Sequence, residues 1–386
     1  MKMIDFLAVG VILIIFMLLN YYIGYKGRKL LKAFNLKANR FVYWFIFWII
    51  AMSFMGAEIL RDYIPAGVKE SLDFVGSFWL SFMLYVLMLL LLFEIVNLVG
   101  RKTHIWEKYT IGHATITKWA GVTIIAATLC ILTVGYLNAD RPVVRTYQVE
   151  IPKRASELNN LNVVMVSDIH IGSPGHTGLV DKAVKEINAL NPDIVLIVGD
   201  VIDSKVEPFI KGNYAQKLAG IKSKYGIYAV TGNHEYYGGD SEEFIKAIRA
   251  AGVNLLLDQN VKVADSFNLV GRVDKTAGAY THTERKGLDE LMTGVDKSLP
   301  VILMDHQPME LGKSADAGVD LQFSGHTHKG QIFPSNLFTK YIYEIDWGYL
   351  RKGNYQIIVS SGIGTWGPPI RLGSRSEIVN AKITFK

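Results

Sequence analysis

The sequence predicts two unlike parts: an N-terminal all-α membrane region of four transmembrane helices, residues 1–138, and a C-terminal α/β domain, residues 139–386. Three observations predict it. Four long, almost uncharged runs lie before Asn138. Beyond Leu137 the apolar runs become short and mostly β-branched, and helical patterns alternate with them. Polar clusters of Asp, Asn and His follow those short runs directly.

The four runs are roughly Phe6–Gly24, Phe41–Ala57, Phe78–Leu98 and Trp119–Leu137. Each approaches the ~20 apolar residues a helix needs to cross a bilayer. Buried helices of a soluble protein would be the alternative, but four such runs this close together argue for spans. The first is long for a signal-peptide core and no small-x-small cleavage site follows it, so it reads as a retained span. Its following loop carries Lys26, Arg28, Lys29, Lys32, Lys37 and Arg40 and no acidic residue. The loop after the third run carries Arg101, Lys102, Lys108 and Lys118 against Glu107, whereas Arg61, Asp62, Lys69, Glu70 and Asp73 balance the loop between. Basic loops stay cytoplasmic, so both termini and everything after Leu137 are expected outside a cell membrane crossed several times.

The formal charge of +6 is then mostly a topology signal, and no nucleic-acid partner is expected. Glu58 and Glu94 sit near span ends, where interfacial placement explains them. No span shows a central paired charge or a broken-helix pattern, which argues against a transporter. Cys130 is the only cysteine, so no intrachain disulfide forms.

Asn138–Arg154 reads as a linker, broken at Arg141-Pro142, that leads into a strand over Val143–Ile151. Strands are expected at Leu161–Val166, Asp193–Val198, Tyr225–Val230, Pro300–Met304 and Val319–Phe323. Runs this short suit strands buried on both faces. Helical patterns separate them, as at Gly178–Leu190 and Ser241–Ala251, the latter opening with Glu242 and Glu243. No internal repeat or low-complexity tract is present.

The polar clusters carry the chemistry. They are Asp168-Ile-His170, Gly199-Asp200-Val-Ile-Asp203, Gly232-Asn233-His234-Glu235, His306 and Gly325-His326-Thr-His328. Carboxylate, amide and imidazole ligands suit a pair of divalent metals, and loops at the carboxyl ends of buried strands are where α/β sheets place their sites. Asp200 has two oxygens and can bridge two metals, and Gly199 lets the chain turn tightly before it. His326 and His328, two apart, can serve one metal each. Two such cations clamp the attacking and leaving oxygens of a phosphate ester and acidify water.

In this order the motifs resemble the calcineurin-like metallophosphoesterase superfamily over roughly residues 143–386. The closer likeness is to bacterial phosphodiesterases called YaeI or YkuE-like, through Ser167-Asp-Ile-His170, Gly232-Asn-His-Glu-Tyr-Tyr237, Ser324-Gly-His-Thr-His328 and Ser361–Arg371. The resemblance implies a four-layer αββα sandwich and a dinuclear site. Asp168, His170, Asp200 and His328 would hold one metal; Asp200, Asn233, His306 and His326 would hold the other. Manganese, iron, zinc and nickel all suit such ligands. His234 would be the catalytic imidazole, donating a proton to the leaving oxygen or steadying the phosphate, with Asp203 orienting it. Arg371, and Asn233 besides its metal role, would contact the substrate phosphate.

One position departs from the pattern. Relatives carry two glycines and a glutamine after the last motif, where this chain has Lys329-Gly330-Gln331. The lysine either contacts an anionic substrate or leans into solvent. Phe338, Tyr341, Tyr343, Trp347 and Tyr349, set among Lys340, Arg351 and Lys352, either rest on a bilayer surface or form a hairpin over the sheet. His104, His113, His176 and His282 read as exposed polar residues, and Glu235 as support for its loop. The expected activity is metal-dependent hydrolysis of phosphodiesters, on lipid head groups, lipid-linked pyrophosphates or cell-wall polymers. Phosphomonoester hydrolysis and a non-catalytic receptor or scaffold are the alternatives.

Overall fold

The computed structural model describes residues 3–61, 63–104, 113–175 and 178–386; Asp62, Glu107, Lys108 and His176 lie outside the described residues. The chain divides into two compact units, Met1–Val134 and Gly135–Lys386.

The first unit is helical, with α1 (Met3–Ala33), α2 (Arg40–Ala51), α3 (Ser53–Ile59), α4 (Ala66–Lys102) and most of α5 (His113–Asp140). α1, α4 and α5 are long and apolar enough to cross a bilayer. The second expected span is not one straight helix. α2 and α3 meet at 58°, so among the described residues the candidate spans number three, or four if the bent pair counts as one. The break falls at Met52, and the Ser53 hydroxyl donates back to the Ile50 carbonyl at 2.7 Å. Serine bonding back one turn is a known cause of helix bending, and the apolar pattern alone does not reveal it.

Inside this unit Ile23, Phe47, Ala51, Val86, Leu90 and Ile124 pack together, with the Phe47 ring edge-on to Trp79 at 5.2 Å. Asn20 is wholly buried, and its Oδ1 accepts from Trp79 Nε1 at 2.8 Å. On the outside Leu7, Ile12 and Leu91 are 61%, 65% and 64% exposed, the placement expected of side chains that face lipid. Gly76 lets α4 lie directly on the backbone of Phe54, because a Cβ there would overlap Phe54 N and Cα. Small residues allow such close approach in membrane helices. Gly76→Leu is therefore expected to lower the Tm of the detergent-solubilised protein, with a cost of about 1–3 kcal/mol or more. Gly67→Ala, where a Cβ meets nothing within 4 Å, should leave it unchanged.

The second unit holds two six-stranded mixed sheets. One comprises β1 (Val143–Ile151), β2 (Asn160–Val166), β3 (Ile194–Val198), β4 (Ile227–Val230), β5 (Asn254–Leu255) and β12 (Glu377–Phe385), in the order β1-β12-β2-β3-β4-β5. The other comprises β6 (Gln259–Val263), β7 (Phe267–Gly271), β8 (Val301–Met304), β9 (Leu321–Ser324), β10 (Gly348–Lys352) and β11 (Tyr355–Val359), in the order β10-β11-β9-β8-β7-β6. β2, β3 and β4 run parallel, as do β7, β8 and β9. Their apolar side chains point to both faces, as the sequence pattern requires. Val163, Met165, Leu196, Leu269, Ile302 and Phe323 join the two sheets in one apolar cluster. Val164, Val195 and Ile197 pack instead against the helices Leu179–Ala189 and Ser241–Ala250. Leu303, Ile357 and Val359 pack against Leu288, Leu291 and Leu311.

Candidate metal centre

Parallel strands end together, and the polar clusters end with them. Asp168, Asp200, His306 and His326 each lie two residues beyond the last residue of β2, β3, β8 and β9. Among the described residues three groups of ligand-type side chains result, each with its donor atoms within 4.8 Å of one another: Asp168, His170 and His328; Asp200, His306 and His326; and His170, Asp203 and His234.

The first two groups meet at Asp200. Its Oδ2 lies 3.0 Å from His306 Nε2 and 4.0 Å from His170 Nε2. The rings of His170 and His328 bring their Nε2 atoms to 3.0 Å, and His328 Nε2 is 3.4 Å from Asp168 Oδ1. Asn233 Oδ1 faces His326 Nδ1 at 2.8 Å, and its amide nitrogen donates to the Tyr237 hydroxyl at 2.9 Å, which fixes the oxygen toward the site.

These atoms fit divalent cations. His306 Nδ1 bonds the Val198 carbonyl at 2.7 Å, so Nδ1 carries a proton and Nε2 is the ring nitrogen turned toward Asp200. That Nε2 is buried and has no hydrogen-bond partner among the described residues. Paired imidazole nitrogens and buried carboxylates at these separations offer a divalent cation several donor atoms at once. Burial pushes the His328 imidazole well below its ordinary pKa, and the charges of His170 and Arg371 add to this, so it is neutral and able to ligate. Burial also pushes the Asp200 carboxyl upward, but His306, His234 and His170 outweigh it and hold the carboxyl far below the usual range.

The backbone is bent to aim these groups. Asp168, His170, Asp200, His326 and His328 all have φ between 50° and 70°, a left-handed conformation that costs non-glycine residues energy and gathers at functional sites. Glycines clear the space between ligands. A Cβ at Gly199 would strike the His306 ring, and one at Gly325 would strike the Asp168 carboxylate.

His234 stands beside this arrangement, half-buried. Its N–H donates to Asp200 Oδ1 at 2.8 Å, and its ring meets the His170 ring edge-on at 4.5 Å. Its Nδ1 hydrogen-bonds the Asp203 carbonyl. The Asp203 carboxylate, expected to orient His234, lies closer to His170 Nδ1 (3.3 Å) than to His234 Nδ1 (3.7 Å). Asp203 therefore steadies two imidazoles, one through each of its oxygen types. Arg371, expected at the substrate phosphate, is wholly buried. Its Nη2 lies 3.2 Å from His328 Nδ1 and donates to the Gly362 and Gly364 carbonyls at 3.2 and 2.5 Å. Its donors thus face the ligand loops.

Glu235 matters more than the sequence suggested. Its buried carboxylate accepts from four backbone N–H groups: Asp200 at 2.9 Å, Val201 at 2.7 Å, Ile202 at 3.1 Å and Gly232 at 2.6 Å. It clamps the loop after β3 to the loop after β4. A glutamate directly after two candidate site residues was the available signal, but only folding shows which N–H groups it collects. Lys329 does not lean into solvent; its ammonium lies 3.5 Å from the Trp347 ring centroid.

Glu235→Ala is expected to cost about 3 kcal/mol or more, since each buried N–H left unpaired costs ~1–3 kcal/mol. Thermal unfolding and metal content per chain should fall together, with Glu235→Gln intermediate. Chelation should lower the Tm of the full chain and manganese should restore it, because a ligand bound only by the folded state stabilises that state. Asp200→Asn should blunt this response.

The comparisons with known proteins agree with this geometry. Residues 161–330 match the family model described as calcineurin-like phosphoesterase. Proteins named "Transmembrane protein with metallophosphoesterase domain" are 31% identical in Danio rerio, over 78% of this chain and 73% of the relative, and 32% identical in Bos taurus, over 66% and 60%. The chain thus spans about 60 to 73% of the length of these relatives. UDP-2,3-diacylglucosamine pyrophosphatase LpxG of Chlamydia trachomatis is 24% identical over 59% of this chain and 85% of the relative. The apolar helices and the transmembrane relatives together support a membrane protein. By its likeness across nearly three quarters of the zebrafish protein, the chain belongs to the calcineurin-like metallophosphoesterase family.

Proposed function

We propose that this protein is a membrane-anchored dimetal phosphoesterase that prefers diesters or pyrophosphate diesters of lipid or cell-wall origin, and works at the outer face of a cell membrane. The observation that carries the reading is the pair of three-ligand groups meeting at Asp200 with His234 alongside. Asp168, His170, Asp200 and His328 would hold one divalent cation, and Asp200, Asn233, His306 and His326 the other. When bound, two such cations make water a nucleophile near neutral pH and offset the negative charge that develops on the phosphoryl oxygens.

The chain's own residues do the rest. His234, whose Nδ1–H is held by the Asp203 carbonyl, would in its imidazolium form give the Nε2 proton to the departing oxygen. Tyr237 turns the Asn233 oxygen inward, and Glu235 keeps the Asp200 and Asn233 loops in register. Arg371 holds His328 and the 362–364 loop in place. The apolar clusters on each side of both sheets support the expected αββα layering, and the division after Val134 lies four residues before the expected boundary at residue 138.

A lipid-borne substrate is supported by two features. The relative named as a UDP-2,3-diacylglucosamine pyrophosphatase suggests the class. The helix Ser335–Ile342, which follows the His326–His328 loop, buries none of its residues and exposes Leu337, Phe338, Tyr341 and Ile342. Loop charges support the outward orientation.

The full-length protein in detergent, loaded with manganese, should hydrolyse bis-p-nitrophenyl phosphate faster than p-nitrophenyl phosphate. His234→Ala is expected to lower kcat about 10²–10⁴-fold, the usual contribution of a general acid. Asp200→Ala should abolish turnover. Faster hydrolysis of the monoester would move the reading to a phosphomonoesterase, and folded, metal-loaded protein inert to both esters would move it to a binding module.

A further inference from the structure

Beside the candidate metal centre the second unit carries a cavity of about 120 Å³ whose lining includes Arg145, Lys329, Trp347, Ser361, Arg375 and Glu377. Its position follows from the strand register. β12 is antiparallel to β2, with Val379 opposite Met165, and parallel to β1, with Val143 opposite Glu377. The starts of β1 and β12 therefore lie at the end of β2 from which Asp168 and His170 emerge. Lys329 follows His328 directly, placing their Cα atoms about 3.8 Å apart.

The charge in this cavity is unbalanced. Three cations face one carboxylate, and that carboxylate is already engaged. Glu377 accepts from Arg145 Nε at 2.9 Å, Trp347 Nε1 at 3.1 Å, the Ser361 N–H at 2.8 Å and the Ser360 hydroxyl at 3.1 Å. Among the described residues neither Lys329 nor Arg375 forms an ion pair. The Lys329 ammonium and the Arg145 guanidinium both lie on the Trp347 ring, 3.5 and 4.8 Å from its centroid, so two like charges share one indole. An anion placed among them relieves their repulsion. Lys329 also has φ of 51°, which glycine adopts freely and which costs lysine about 1–2 kcal/mol. A lysine in that conformation beside a candidate metal ligand points to a use for its charge.

We propose that Arg145, Lys329 and Arg375, with Trp347 as the cavity wall, form an anion subsite. It receives a second acid group of the substrate, next to the phosphoryl group at the metal centre. In a pyrophosphate diester water attacks that phosphoryl group, the P–O–P bond breaks and the second phosphate leaves with the shared oxygen. This deepens the phosphoesterase reading and rests on it. It selects pyrophosphate diesters, or phospholipids bearing a further phosphate, over diesters with neutral substituents.

The binding test needs no turnover. Inorganic pyrophosphate is titrated into the full-length, metal-free protein in detergent while tryptophan emission is followed, and Trp347→Phe identifies the part of the signal that belongs to the cavity. Lys329→Met and Arg375→Met are each expected to raise the Kd at least tenfold. No change in Trp347 emission, or equal Kd values in wild type and both variants, overturns the subsite. A second arm uses manganese-loaded protein and compares kcat/KM for UDP-glucose and for CDP-diacylglycerol in mixed micelles with that for bis-p-nitrophenyl phosphate. Lys329→Met should lower the pyrophosphate-to-diester ratio about tenfold. A ratio unchanged in the variant overturns the proposal. A fall for the lipid alone or for both pyrophosphates tells whether the acid group is read on a lipid only. Binding that depends on Lys329 in a protein inert to every ester would keep the subsite and remove the hydrolase reading.

Discussion

Two carboxylates, Asp168 and Asp200, are buried at the ends of adjacent strands, and burying an ionised carboxylate is tolerable only where charge and hydrogen bonds compensate it. Much of the second unit answers that constraint. Four histidines surround the pair, backbone N–H groups of His234 and His326 donate to its oxygens, and Ser167 donates to Asp168. The chemistry of the donors leaves room for cations to complete the compensation. A third buried carboxylate, Glu235, is handled differently. Four N–H groups surround it, so it organises loops rather than attracting a metal.

Precision at the strand ends comes at a conformational cost. Five of the residues aimed at the centre occupy left-handed backbone conformations, and such strain persists only where surrounding structure over-determines it. The surroundings do so here. Fully buried β-branched strands on two sheets hold the loop stems, and Glu235 and Arg371 tie the loops across. Arg371 further links this machinery to the last turns of α5. Its N–H donates to the Gly135 carbonyl at 2.8 Å, and its carbonyl accepts from Asn138 Nδ2 at 3.2 Å.

The first unit follows a different logic. Its apolar pattern faces outward as well as inward, and Asn20 is paired with Trp79 inside it, whereas the buried Ser77 hydroxyl and Asp73 Oδ1 have no hydrogen-bond partner among the described residues. Close helix approach rests on small residues such as Gly76. Hydropathy could not see the bend at Met52, because a serine hydroxyl and local helix geometry make it without any change in apolar content.

The sequence by itself determined the division into an apolar helical part and an α/β part, since composition and period depend on local residues alone. It also determined β2, β3, β4, β8 and β9 to within a few residues, because strands buried on both faces read as continuous apolar runs. The chemical kinds of residue at the strand ends were legible for the same reason: they interrupt those runs. The strands β5, β6, β7, β11 and β12 escaped notice, and β10 was expected only as part of the hairpin weighed for residues 338–352. β12 pairs between β1 and β2 from more than 200 residues away, and no local pattern encodes such a partner. Tertiary structure alone decided which donors share an ion's space, that Glu235 collects four N–H groups, that Arg371 turns inward, and that Lys329 meets Arg145 over Trp347. Local sequence sets what each residue can do, while only the convergence of distant strand ends sets which residues do it together.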